Sequence, residues 1–116
     1  MPRKIIIDTD PGIDDSMAIF YALNSPEIEL LGLTTIFGNA STEICTINAL
    51  RLLEIAGRSD IPVYKGAEKP ISSERRGSPE FVHGPDGQGN SNLSPPKTSV
   101  QNQTALEFLH KTIRDN

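Results

Sequence analysis

An α/β fold built on an open, mostly parallel sheet is the class that three features of this 116-residue chain predict. Short β-branched runs alternate with stretches of helical periodicity in the order strand, helix, strand, helix, strand, the βαβαβ pattern of parallel strands joined by crossover helices. The first strand-like run is stopped by Pro11-Gly12 and the second is closed by Gly38-Asn39. Apolar residues make up 36% of the chain, but close to half of residues 1–66 and only about a fifth of residues 67–116, so the packed part is the first part. The length allows one domain and leaves no room for two.

The elements follow in order. Lys4-Ile5-Ile6-Ile7-Asp8-Thr9-Asp10 is a β-branched run stopped by Pro11-Gly12, which predicts a short strand buried on both faces. Asp14-Asp15-Ser16 supplies an acidic first turn to the next helix, with Met17, Phe20, Tyr21 and Leu23 as its apolar stripe and Ser25-Pro26 as its end. Ile28 to Phe37 is a second strand, closed by Gly38-Asn39. Ser41 or Thr42 caps a second helix, where Cys45, Ala49, Leu52, Leu53 and Ala56 recur at helical spacing and Gly57 takes the position just past the end. Ile61-Pro62-Val63-Tyr64 is a third strand, weakened because Pro62 brings no N–H to the ladder.

Together these form a Rossmann-like open sheet over residues 1–66. Residues 67–103 turn to Pro, Ser, Gly and charge, and so long an irregular stretch in a compact domain is usually functional or disordered. Thr104-Ala105-Leu106-Glu107 has the form of a capping box and opens a last helix over 104–114, with Leu106, Leu109, His110 and Ile113 on one side. The sequence stops where the pattern calls for a fourth strand, so a truncated sheet is expected.

Charge and composition exclude several classes. The net charge is −4, and the longest basic runs are the pairs Arg3-Lys4 and Arg75-Arg76, which predicts no binding of nucleic acid or anionic lipid. The run Ile5 to Ile7 is far too short for a membrane span or a signal-peptide core. Cys45 is the one cysteine, which excludes an intramolecular disulfide and a Cys-rich zinc site and points to a reducing, cytoplasmic location.

Chemistry is expected just after the strands, because open α/β sheets bind ligands outside the carboxyl ends of their strands. Asp8, Asp10, Asp14 and Asp15 fall within eight residues there, and in a partly dry crevice protons or a divalent cation must relieve their repulsion. A hard cation such as Ca²⁺ or Mg²⁺ suits an all-oxygen set; Asp8 and Asp10, two apart on a strand, are expected on one face, with Asp14 and Asp15 returning on the first helical turn. Gly84, Gly87 and Gly89 neither follow a strand directly nor open an apolar helix, so they are no dinucleotide fingerprint. They suit a mobile lid or a flexible linker.

Asp8-Thr9-Asp10-Pro11-Gly12-Ile13-Asp14-Asp15 resembles the amino-terminal motif of the inosine-uridine-type nucleoside hydrolases. Gly38-Asn39, Asn48-Ala49-Leu50-Arg51-Leu52-Leu53, Pro62 to Ala67 and Val82-His83-Gly84-Pro85-Asp86-Gly87 fall where that family has similar segments; Gln88 stands where the family usually has an apolar residue. The resemblance implies hydrolysis of a ribonucleoside to base and ribose by a calcium-bound water. It implies Asp10 as calcium ligand and general base, Asp15 as a second ligand, Asp8 as a supporting residue at the metal and Asp14 on a ribose hydroxyl. Asn39 would position the water or the sugar, and His83 would lie near the base in an active-site loop spanning 67–103. His110 has no such context and reads as a helix-face residue. Family members are several times longer, so further calcium and ribose ligands would lie beyond this partial domain.

Two other readings compete. A strand ending in Asp-x-Asp is also how haloacid-dehalogenase-type phosphohydrolases place their nucleophile, which would make Asp8 the phosphorylated residue but leaves Pro11-Gly12 and Asp14-Asp15 without a role. The other is no enzyme: an inactive fragment or subunit-pairing module whose unfinished parallel edge lends itself to a homo-oligomer.

Overall fold

The computed structural model describes every residue except Arg76 and Asn92, and of Phe81 the backbone alone. The described residues form β1 (Arg3–Thr9), α1 (Ile13–Leu23), β2 (Ile28–Thr35), α2 (Thr42–Ile55), β3 (Val63–Lys65), α3 (Glu80–His83) and α4 (Ala105–Asp115). The strands make one parallel sheet in the order β1-β2-β3, as the alternating pattern predicts.

α1 and α2 cover one face of the sheet and α4 the other. Ile19 of α1, Leu30 and Leu33 of β2, Leu52 and Leu53 of α2 and Val63 of β3 form the main core, with Ile5 and Ile7 packed on its margin. A register shift between Ile5 and Ile6 pairs Ile5 with Leu30 but Ile6 with Gly32, so Leu30 and Leu33 reach the same face despite their odd spacing. On the other face Phe108 of α4 stacks on Tyr64 with ring centroids 3.8 Å apart. Gly32 makes that seat possible, because a Cβ there would come within 2.9 Å of the Phe108 ring.

Capping signals in the sequence are realised at the start of α4 and at the end of α2. Thr104 and Glu107 form the reciprocal capping box. Gly57 ends α2 at φ +69°, with its N–H donating to Glu54 O and the Arg58 N–H to Leu53 O, a Schellman closure that a Cβ would strain.

Several boundaries and faces differ from expectation. β1 is half-buried rather than buried on both faces, because it is an edge strand and α4 packs mainly over β3. β2 stops at Thr35, and β3 begins only after Pro62, whose carbonyl still accepts the Leu33 N–H at 3.0 Å. α1 buries Ile19 and Ala22, while Met17 and Tyr21 are 70% and 75% exposed; the helix is rotated relative to the expected stripe, and only Phe20 and Leu23 of that stripe touch the core. α4 likewise buries Ala105 and Phe108 and leaves Leu106 and Ile113 exposed, because Phe108 has the ring that fits over Gly32. Arg76, half of the second basic pair, lies outside the described residues.

Candidate active site

The loop between β1 and α1 sits at the carboxyl end of the sheet and is closed by the residues after β2. Asp10 lies one residue beyond the strand, so strand alternation no longer sets its direction. Its Oδ2 accepts the Asn39 N–H at 2.9 Å, and its carbonyl accepts Asn39 Nδ2 at 2.8 Å. Asn39 therefore grips Asp10 at both side chain and backbone. Gly38 permits this, since a Cβ at that position would collide with Asp10 Oδ2.

Asp15 approaches from the first turn of α1, where its Oδ2 accepts the Thr9 hydroxyl at 2.8 Å. Burial pushes its carboxyl above the ordinary carboxylate range, and the neighbouring Asp10 and Asp14 charges push the same way, against the Thr9 hydroxyl, which favours the anion. Two carboxyl groups crowded beside each other are what a hard cation relieves. Asp14 is exposed on the same turn, and its carboxylate makes no hydrogen bond to a described residue.

Asp8 does not join them. Strand alternation places it on the α4 face, opposite Thr9; it accepts the Thr34 hydroxyl at 2.7 Å and lines a groove with Lys4, Ile6 and Leu109. The expected cluster of Asp8, Asp10 and Asp15 is thus replaced by a pair, and among the described residues no group of three His, Cys, Asp or Glu side chains could hold a metal ion.

His83 comes to the same loop from far along the chain. Its Nδ1 accepts the Ile13 N–H at 3.2 Å, one of the free donors at the start of α1, which leaves the ring proton on Nε2. A Cβ on Gly12 would stand 2.6 Å from both His83 Nδ1 and Asn39 Nδ2, so these two side chains converge over a residue that has none. His110 is exposed on α4.

The stretch expected as a mobile lid or linker is fastened down. Gln88 Nε2 donates to Ser16 Oγ at 2.8 Å, and Ser16 in turn donates to Gly12 O at 2.6 Å, which gives the polar residue at this position a partner on α1. Asp86 Oδ1 accepts the N–H groups of Gln88 and Asn90 and shapes the turn. Asn48, buried on α2, donates to the carbonyls of both Pro11 and Asp86. Its mark in the sequence is a carboxamide three residues after Cys45 on an otherwise apolar stripe, a polar group that must find partners if buried. Beneath the loops Cys45 is buried, with its thiol pushed up to about 11 by that burial, which makes it a packing residue and no nucleophile.

A parallel α/β sheet with paired carboxylates, an amide and an imidazole gathered at its carboxyl end defines a hydrolase-like site. The inosine-uridine preferring nucleoside hydrolase family model matches residues 5–116, and the chain belongs to that family. It is 57% identical over 108 residues to probable uridine nucleosidase 2 of Arabidopsis thaliana, covering 92% of this chain and 34% of that one. It is 44% identical over 110 residues to the inosine-uridine preferring nucleoside hydrolase of Leishmania major, covering 94% and 35%. A plant nucleoside hydrolase, the PpNRh1 enzyme, superposes with a TM-score of 0.95 at 46% identity, over 99% of this chain and 36% of that structure. The chain therefore spans about a third of the length of the curated relatives it matches. The phosphohydrolase alternative is set aside, because the family match runs over the whole acidic motif and Asp8, its would-be nucleophile, stands apart from Asp10 and Asp15.

Proposed function

We propose that this chain carries the acidic half of a nucleoside hydrolase site, acting on a ribonucleoside whose N-glycosidic bond is cleaved to free base and ribose. The observation that carries this reading is the convergence of Asn39 and His83 over the side-chain-free Gly12, with Asn39 gripping Asp10 and Asp10 standing beside Asp15.

In this mechanism Asp10 takes a proton from the attacking water as its oxygen bonds to the anomeric carbon. The bond from that carbon to the base nitrogen breaks with its electron pair leaving on the base; the His83 Nε2–H stabilises the departing base by a hydrogen bond and keeps its proton, and the base takes its own proton from solvent. Carboxylates beside the anomeric carbon favour the positive charge that develops there. Asp14, free at the first turn of α1, holds a ribose hydroxyl. Asn39 keeps Asp10 aimed, since both of its contacts with that residue fix the carboxylate against the loop.

The donor chemistry fits Ca²⁺ in part. Asp10 and Asp15 are the ligands this chain offers, all oxygen, and Asp15's carboxyl is raised first by burial and then by the neighbouring Asp10 and Asp14 charges, a setting that would favour a cation. Ca²⁺ bound there would neutralise the crowding and make a nearby water more acidic. A cytoplasmic setting agrees with the free, buried Cys45.

Ribose release from inosine and uridine with Ca²⁺ present, beside an Asp10→Ala control, tests the reading. Loss of activity in the control by roughly 10²-fold or more is expected for removal of a general base. Equal background rates in both proteins would reject this chain as an independent enzyme.

A further inference from the structure

We propose that Asn48 is a positioning residue: its buried carboxamide ties the His83 loop and the acidic β1–α1 loop to α2, and so sets where His83 stands relative to the β1–α1 loop that carries Asp10 and Asp15. The inference rests on the nucleoside hydrolase reading for its catalytic meaning, and on geometry for everything else.

Asn48 is 1% exposed on α2, between Cys45 and Ala49 on the face that packs inward. A carboxamide there costs free energy unless its donors and acceptor are paired. The pairing comes from outside the helix: Nδ2 donates to Asp86 O at 2.8 Å and to Pro11 O at 3.3 Å, while Oδ1 accepts Arg51 Nη1 at 3.1 Å. The two hydrogens of one planar amide point in fixed directions, so the two carbonyls are held in a fixed relation to each other. Pro11 sits between Asp10 and Gly12; Asp86 sits three residues after His83.

The loop runs close enough for this only because Gly87 follows Asp86. Gly87 is buried at φ +74°, and a Cβ there would lie 3.2 Å from Asn48 Nδ2 and 3.5 Å from Pro11 O. The fastenings nearest His83, its Nδ1 to the Ile13 N–H and Gln88 to Ser16, join the loop to the start of α1, and Arg51 and Glu54 of α2 reach it only farther along, at Ser94 and at Lys97 and Thr98. Asn48 adds the tie to α2, the helix that supplies most of the core leucines. Without it the His83 loop can pull away from the first turn of α1, opening the bond from the Ile13 N–H to His83 Nδ1, while Asp10 is held separately by Asn39.

The test reads the imidazole directly. The chain has two histidines, so long-range ¹H–¹⁵N spectra of the full chain report His83, with His110 on α4 as internal reference. The parent is expected to show His83 with an unprotonated Nδ1 and a proton on Nε2, and a protected Ile13 amide. In Asn48→Leu the tautomers average and the Ile13 and Gln88 amides exchange roughly tenfold faster or more, while β2 amides and His110 are unchanged. Glu54→Gln, which loosens a different segment from the same helix, leaves the His83 signals as they were. An Asn48→Leu chain that melts cooperatively with parent-like His83 and Ile13 signals overturns the proposal, as does an equal His83 change in Glu54→Gln. Should Asn48→Leu fail to fold, Gly87→Ala pushes on the same amide from the loop side, and parent-like His83 signals there overturn it equally. None of these readouts needs turnover, so a chain that shows the His83 change but releases no ribose supports the positioning role while rejecting the enzyme reading.

Discussion

In residues 1–66 the elements hold one another by apolar side chains packed across the sheet, whereas residues 67–103 ride on that body mainly through hydrogen bonds from a few side chains to backbone. Leu33, Leu53 and Ile19 are fully enclosed in the first region. In the second, Asn48 and Arg51 reach out to the carbonyls of Asp86 and Ser94, Glu54 gathers the N–H groups of Lys97 and Thr98, and Val100 is one of the few apolar side chains that touch the core. The difference teaches that the site is made by docking a polar loop onto a finished core. The carboxylates belong to the core's own β1–α1 connection, Asp10 just past the strand and Asp15 on the first helical turn, and the imidazole arrives with the loop.

Truncating the core gives the largest effect. Leu33→Ala empties a fully buried position between β2, α2 and β3 and should lower unfolding stability by about 2–5 kcal/mol, measured by urea denaturation. Both regions should be lost in one transition, since the loop has no core of its own. A separate, earlier transition of the core with the loop still protected would break the comparison.

Smaller in energy but sharper in place is Gly12→Ala. The added methyl meets the ends of two side chains, Asn39 Nδ2 and His83 Nδ1, which can swing away, so the stability loss should stay near the low end of overpacking, about 1 kcal/mol. The Ile13 N–H should lose its imidazole acceptor and exchange faster, while amides of β2 keep their protection. Unchanged exchange at Ile13 would show that the His83 side chain is not held there.

Much of this was legible in the sequence, and for physical reasons. Hydrophobic spacing marked α2 and its Gly57 closure, β-branched runs marked β1 and β2, and Thr104 with Glu107 marked the start of α4. Spacing failed where the burying partner lies far away. The stripes of α1 and α4 were read from their own residues, but Ile19 faces β2 and Phe108 faces Gly32, and neither partner is visible from within the helix. At the site, the acidic motif carried Asp10 and Asp15, while Asp8 went to the opposite face because β1 runs on through Thr9. The seat of His83 depends on Ile13, 70 residues away, and the fastening by Asn48 spans 38 residues to Asp86. No local pattern encodes contacts of that range.

The smallest effect expected is in the polar region and depends on pH. Glu54 Oε2 accepts the Thr98 hydroxyl and the N–H groups of Thr98 and Lys97, and these bonds, the Thr98 hydroxyl foremost, hold its carboxyl below the ordinary 4.5. A carboxyl with a depressed pKa in the folded chain stabilises that chain fully above its unfolded value, and the contribution disappears as pH falls through the lower folded value. The segment around Lys97 and Thr98 should therefore be protected at neutral pH and loosen as the pH drops below about 4.5 toward the folded value, with Gln101, bonded through its N–H to Val63 O, staying in place. Exposure and solvent screening keep the effect on global stability slight, so amide exchange corrected for its intrinsic pH dependence is the proper measurement. Glu54→Gln should loosen the segment already at pH 7 and abolish the acid step, because a neutral amide accepts more weakly and does not titrate there. If the step persists in that variant, some other carboxylate holds the segment, and the picture of a loop region fastened by single polar side chains of α2 fails at this point.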